Sequence, residues 1–197
     1  MRESALWIVG VALLLAGCGQ PASSVPTLIT ADPKTLTLQS SDFPGTTSPD
    51  PLPESADFLF SSGYQFTGPK PTDAFAETVD LELSSGAYAL DTIISGTAIY
   101  ASVDAASAVR IPAAFAKNET AMTRQIGDAA HEEYRVMPSG QNTATVHGLI
   151  WRYRNVIAYL WWTLGGSGLT DLAVANAYQE FWTMAERMQT YMRLAAR

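Results

Sequence analysis

Two runs rich in apolar residues flank Arg154-Asn155 late in the chain, and they dominate its hydrophobic pattern. They predict two strands, about 145–153 and 156–163, joined by a two-residue hairpin turn in which Asn155 tolerates the left-handed conformation. Consecutive side chains of a strand point to opposite faces, so Trp161 and Trp162 are expected on different sides. The predicted register pairs Tyr153 with Val156, Trp151 with Ala158, Leu149 with Leu160 and His147 with Trp162 on one face, and Arg152 with Ile157, Ile150 with Tyr159 and Gly148 with Trp161 on the other.

The last segment of the chain has the spacing of an amphipathic helix. Thr170 is a good N-cap, and Asp171 lies where the positive end of the helix dipole favours a carboxylate. Gly165-Gly166-Ser167-Gly168 precedes it as a connector. The apolar stripe runs over about six turns and consists of Val174, Tyr178, Phe181, Ala185, Met188, Met192 and Ala195.

Upstream, strand-like patterns cover about 87–102, with a bulge or bend expected at Gly96, and about 125–137. A helix capped by Thr72-Asp73 would place Phe75, Val79 and Leu83 on one face, and Asp104 would cap another over about 105–110. Pro112 ends that helix or starts a further turn. The fold class predicted is α+β: an antiparallel β-sheet meander with a long C-terminal helix packed across it and one or two shorter helices.

An uncharged run from Ser4 to Gly17 ends in Leu15-Ala16-Gly17-Cys18, and Cys18 is the only cysteine of the chain. This stretch resembles the lipobox of bacterial lipoproteins. The resemblance implies cleavage before Cys18, a diacylglyceryl group on its thiol and further acylation, for example with palmitate, of the new N-terminus. The apolar run is shorter than the roughly 20 residues of a membrane span.

Residues 18–56 are predicted to be a tether between this signal peptide (1–17) and a single domain over 57–197. Seven of the eleven prolines lie there, and such a composition buries little apolar surface. Within it, the alternation of Leu36-Thr37-Leu38-Gln39 predicts either a short edge strand that docks on the domain or a disordered stretch.

The net charge of −7 argues against nucleic-acid binding and against a polybasic contact with anionic lipids. A membrane attachment would then depend on the lipid at Cys18, on the extracytoplasmic side of a cell membrane or outer membrane. Gly19 is not the Asp that resembles an inner-membrane retention signal in some two-membrane bacteria, which favours the outer membrane if the cell has one. The order of elements from about Tyr88 to Met192 also loosely resembles small lipid-anchored, sensor-like lipoprotein domains, which implies no catalytic residue.

Catalytic patterns are weak. Asp128, Glu132, Glu133 and His131 could serve as acid and base in an envelope hydrolase, and His131 with His147 and these carboxylates could hold a metal. Surface or hydrogen-bonded roles explain the same residues, so neither a metal nor another cofactor is expected. The chain has no G-x-S-x-G nucleophile motif.

The aromatic residues of the hairpin suggest a binding surface. Trp151, Tyr159, Trp161 and Trp162 could meet an envelope protein or a small apolar or sugar ligand, or they could simply fill a core that has no disulfide. The leading hypothesis is a non-catalytic, lipid-anchored extracytoplasmic domain that binds a ligand or protein partner in the cell envelope. The alternatives are the hydrolase and a structural or assembly lipoprotein.

Overall fold

The computed structural model describes residues 27–43, 52–54, 66–81, 90–139, 142–166 and 170–197. In this part of the chain a seven-stranded antiparallel sheet has the order β1-β2-β3-β7-β6-β5-β4. Two meanders, β1 to β3 and β4 to β7, meet where β3 pairs with β7. The predicted α+β class is confirmed. The strands are β1 (Leu52–Glu54), β2 (Asp73–Asp80), β3 (Leu90–Ile99), β4 (Glu119–Thr120), β5 (Ala129–Ser139), β6 (Asn142–Tyr153) and β7 (Val156–Gly166).

In the described residues three α-helices accompany the sheet: α1 (Val103–Ser107), α2 (Ala113–Ala116) and α3 (Asp171–Ala195). The predicted cap of α3 is confirmed, because the Thr170 hydroxyl accepts a hydrogen bond of 3.2 Å from the Ala173 amide. Helix α1 is shorter than predicted and is capped by Ser102 rather than by Asp104. None of the helices in the described residues combines the length and the apolar content of a membrane span.

The hairpin of β6 and β7 has the predicted register along its whole length, from Tyr153 opposite Val156 to His147 opposite Trp162. The left-handed residue of its turn is Arg154, with φ of 56°, and not Asn155. Asn155 is buried and hydrogen-bonds to two other segments of the chain. Its amide nitrogen donates to the carbonyl oxygens of Ile29 and Tyr100 at 3.0 and 2.9 Å.

Both faces of the sheet are covered. Helix α3 and residues 27–43 pack on one face, against residues such as Leu149, Leu160 and Trp162. Helices α1 and α2 and the segment around Phe66 cover the other. The predicted apolar stripe of α3 is buried from Phe181 to Met192, whereas Val174, Tyr178 and Ala195 are half-buried.

Residues 27–43 do not behave as part of a tether. Ile29, Leu36 and Leu38 are core residues, so this stretch does bury enough apolar surface to be ordered on the sheet. Residues 36–39 do dock, but the predicted edge strand there is wrong, since Pro33–Leu36 and Ser40–Asp42 form 3₁₀ turns. The signal peptide and the remaining tether, apart from the strand at 52–54, lie outside the described residues.

Side-chain hydrogen bonds connect both ends of residues 27–43 to α3. The Asp42 carboxylate accepts hydrogen bonds from the Tyr191 hydroxyl at 2.8 Å and from the Arg187 guanidinium at 3.2 Å. At the other end, the Arg154 guanidinium donates to the carbonyl oxygens of Thr27 and Ala196 at 2.7 and 2.9 Å. The beginning of this stretch therefore lies beside the end of α3, at the turn of the β6–β7 hairpin.

Two further expectations are corrected. The helix expected after Thr72-Asp73 is strand β2, whose residues 73–80 pair continuously with β3; Leu83 lies outside the described residues. Gly96 makes no bulge, because its pairing with β2 and β7 is uninterrupted. A side chain is absent there because the ring of Tyr159 fills the space, and an added β-carbon would lie 2.2 Å from it.

Candidate functional site

A cleft of about 590 Å³ lies between the first turns of α3 and the strands β4, β5 and β6. It lies beside the least buried part of α3. Residues 171–176 of the helix have no fully buried side chain, and close packing begins only at Ala177. The residues that line this helix–sheet cleft are Thr120, Ala121, Thr123, Glu132, Tyr134, Thr143, Thr145, His147, Thr170, Asp171, Val174, Ala175 and Tyr178.

His147 is a buried imidazole in the wall of the cleft. Its side chain lies on the face of β6 that α3 covers, and the residue is only 6 % exposed. Its ring packs against those of Tyr134, Tyr178 and Phe181, with centroid distances of 4.8, 5.1 and 5.8 Å. Neither ring nitrogen has a hydrogen-bond partner among the described residues. Burial lowers the pKa of His147 to about 4, so the ring is neutral at pH 7.

Glu132 lies on the neighbouring strand β5 and is 2 % exposed. Burial raises the pKa of its carboxyl, and hydrogen bonding from the side chains of Tyr178 and Trp182, together with the charge of Arg124, opposes that rise. The Trp182 indole lies close enough to Glu132 to lower its pKa, but neither Glu132 Oε2 nor Trp182 Nε1 has a partner at normal hydrogen-bond distance and angle within the described residues. Four buried polar atoms without partners, on Glu132, His147 and Trp182, are thus concentrated at or beside one cleft.

The residues suggested for hydrolysis do not converge. Glu132 and Glu133 are consecutive on β5 and point to opposite faces, so they cannot act on one substrate. Glu133 is buried on the far face and accepts a 3.0 Å hydrogen bond from Trp161 Nε1. His131 pairs with Glu119 at 2.7 Å.

Asp128, the remaining candidate, accepts a hydrogen bond of 2.6 Å from the Arg154 amide at the end of the hairpin. His131 and His147 also lie on opposite faces of the sheet, contrary to the expectation that they could meet. No group of three metal-ligating side chains occurs among the described residues. Of the residues suggested for chemistry, the cleft brings together only Glu132 and His147.

The four aromatic residues suggested as a binding surface are all buried. Trp151 Nε1 donates to Gln189 Oε1 at 3.0 Å, and Trp162 joins the same core beneath α3. Tyr159 and Trp161 pack on each other on the opposite face, with a centroid distance of 5.0 Å. In this structure these side chains fill the two cores that flank the sheet.

Sequence reasoning missed Tyr134 as part of a site. A usable signal was present, because the alternation of β5 places Glu132 and Tyr134 on the same face, and the predicted stripe of α3 contains Tyr178. What the pattern does not contain is the gap between α3 and the sheet. That gap turns these residues into the walls of a cleft.

Comparison with known proteins gives little further guidance. No family model matches the chain, and no curated protein matches it either. Among solved structures, the chain is similar to the crystal structure of the extracellular domain of PknH from Mycobacterium tuberculosis, with 11% sequence identity and a TM-score of 0.36. The match covers 83% of this chain and 99% of that chain. A TM-score of this size does not show a shared fold or a shared function.

Proposed function

We propose that this chain is a lipid-anchored extracytoplasmic domain that binds a small molecule in the helix–sheet cleft, without catalysis. The anchor is inferred from the resemblance of Leu15-Ala16-Gly17-Cys18 to a lipobox. Binding is inferred from one observation above all: Glu132 and His147 are buried in the wall of an open cleft, and Glu132 Oε2 and both ring nitrogens of His147 lack a hydrogen-bond partner in the described residues.

Leaving such groups unpaired is costly. A buried donor or acceptor without a partner costs about 1–3 kcal/mol, and native proteins contain few of them. Glu132 Oε2 and both nitrogens of His147 would together carry several such costs at one place. A ligand, or the water that it displaces, would supply the missing partners.

The size of the cleft favours a small molecule over a protein. Sites for small molecules commonly enclose about 300–1,000 Å³, and this cleft has about 590 Å³. The aromatic side chains that would have formed a flat docking surface are buried instead. Hydrolysis is less well supported, because only Glu132 of the four suggested residues lines the cleft.

A fragment screen read by methyl NMR tests this proposal. The methyl groups of Val174 and Ala175 lie in the cleft wall and report directly on occupancy. Fragments are expected to shift these signals saturably in the wild-type protein and not in Ala175→Trp, whose indole would fill the mouth.

Asn176→Trp is the matched control, since Asn176 is the next residue of α3, is exposed and does not line the cleft. It should bind fragments as the wild type does. The proposal fails if a diverse library gives no saturable shift at Val174 or Ala175. It also fails if Ala175→Trp binds the same fragments with unchanged affinity.

A further inference from the structure

The ionisable groups that line the helix–sheet cleft include two carboxyls. Glu132 lies in its buried wall and Asp171 at its exposed mouth, and none of the described residues that line the cleft is a Lys or Arg. Buried carboxylates in proteins are normally paired, because an isolated charge loses its hydration without compensation. A cationic group in the cleft would provide the partner that Glu132 Oε2 lacks there.

Arg124 is the cation whose charge acts on Glu132 among the described residues, and its hydrogen bonds are made elsewhere. Its guanidinium contacts Glu186 at 3.5 Å and Gln179, both on the outer surface of α3, and lies 5.3 Å above the ring of Trp182. Its charge partly offsets that of Glu132 through space. Arg124 does not line the cleft.

The walls beside Glu132 are aromatic. The rings of Tyr134 and Tyr178 lie 4.8 and 5.1 Å from that of His147, so His147 joins an aromatic ring of the sheet to one of the helix in the lining of the cleft. The faces of tyrosine rings carry negative potential and attract ammonium groups, and such walls are the usual means of binding quaternary ammonium compounds. A neutral imidazole adds no repelling charge.

The N-terminus of α3 is the one feature that would favour an anion. The partial positive charge at this helix end is already compensated within the protein, because Asp171 occupies the first turn and the Thr170 hydroxyl caps the Ala173 amide. An anionic ligand would have to approach both Asp171 and Glu132. The helix end therefore does not reverse the preference of the two carboxylates for a cationic ligand.

We propose that the ligand of this cleft is an organic cation, an amine or quaternary ammonium compound whose charged group lies against Glu132 and the tyrosines. Its apolar body would lie along Val174 and Ala175 near the mouth. This inference rests on the proposed function, because it names the chemical class of the molecule that the same cleft binds.

Three probes of similar size and different charge test the inference on the wild-type protein: benzyltrimethylammonium, benzyl alcohol and benzoate. Binding is measured by titration of the Val174 and Ala175 methyl signals. Benzyltrimethylammonium is expected to bind at least about tenfold more tightly than either of the others, which corresponds to about 1.4 kcal/mol. The inference is overturned if the alcohol or the anion binds as tightly as the cation.

Glu132→Gln should weaken binding of the cation at least about tenfold and leave binding of benzyl alcohol unchanged. Glu180→Gln removes the same charge from an exposed position of α3 outside the cleft and should change neither affinity. An unchanged cation affinity in Glu132→Gln would also overturn the inference. If Glu132→Gln does not fold, Asp171→Asn at the exposed mouth provides the second variant, with a smaller loss expected for the cation alone.

The outcomes separate the two proposals. Shifts caused by the alcohol or the anion, without a preference for the cation, would refute the cationic ligand and support the cleft as a binding site. Absence of shifts with all three probes also refutes the cationic ligand, and the fragment screen then decides whether the cleft binds anything. Only failure of that screen refutes the proposed function.

Discussion

Replacing His147 by phenylalanine tests the description of the cleft most directly. The imidazole is buried among Tyr134, Tyr178 and Phe181, and neither of its nitrogens is hydrogen-bonded in the described residues. Phenylalanine keeps a planar ring at this position and removes two polar atoms that lack partners. At pH 7 we therefore expect His147→Phe to be as stable as the wild type or more stable by about 1 kcal/mol.

The difference between the two proteins should depend on pH. In the unfolded chain His147 titrates near 6.5, whereas in the folded protein burial lowers its pKa to about 4. Between these values the unfolded state binds more protons, so the free energy of unfolding of the wild type falls as the pH falls. Over the whole interval the loss is about 3 kcal/mol, at about 1.4 kcal/mol per pKa unit.

Other buried groups act in the opposite direction. Burial raises the pKa values of Glu77 and Glu132, so their contribution to stability is present at low pH and is lost as the pH rises through the folded values. Both acids are present in wild type and variant. The difference in unfolding free energy between the two proteins isolates His147 if their pKa values are unchanged.

The assay is urea unfolding followed by tryptophan fluorescence at pH 7 and at pH 4.5. His147→Phe should gain about 2 kcal/mol relative to wild type between these two conditions. His131→Phe, at a half-exposed histidine, controls for the loss of an imidazole outside the core. A difference between His147→Phe and wild type that does not change with pH would refute the burial and neutrality of His147.

Three further predictions concern other parts of the chain. Cys18→Ser should leave the protein unprocessed or release it from the membrane fraction, and partitioning like that of wild type would refute the lipobox interpretation. Asn155→Ala should cost about 3 kcal/mol in urea unfolding, since both backbone groups of Ile29 lose a buried partner; a loss below that of a typical surface substitution would contradict this. Gly96→Ala should lower the free energy of unfolding by about 2 kcal/mol, because the added β-carbon would overlap the ring of Tyr159. An unchanged urea midpoint would show that the ring can move.

The hairpin of β6 and β7 was predictable because its determinants are local. A two-residue turn and alternating side chains fix the register within about twenty residues of sequence, and the observed pairing agrees throughout. The long helix was equally accessible from the Thr170 cap and the apolar stripe. Even the opposite orientation of Trp161 and Trp162 follows from strand geometry alone.

Strand β2 shows where local pattern fails. Phe75 and Val79 are four residues apart, and this spacing places two side chains on the same face of a helix and on the same face of a strand. Pairing with β3, which lies further along the chain, decides between the two. The spacing alone contains no such information.

Residues 27–43 show the same limit for composition. Pro33 belongs to a proline-rich stretch, yet it lies at the first position of a 3₁₀ turn, where its missing amide hydrogen costs nothing. The partners that order this stretch, such as Asn155 and Arg187, are more than a hundred residues away. The helix–sheet cleft was likewise unpredictable, because it depends on where α3 leaves the sheet.

The hydrogen bonds of Arg154 to Thr27 and Ala196 place the start of the described chain beside the C-terminal end of α3. Only nine residue steps separate Thr27 from Cys18, which limits the reach of a lipid anchor there to about 30 Å. The cleft begins at the other end of α3, whose 25 residues span about 37 Å. In a molecule anchored at Cys18, the attachment would lie near the Arg154 end and the cleft near the opposite end of α3.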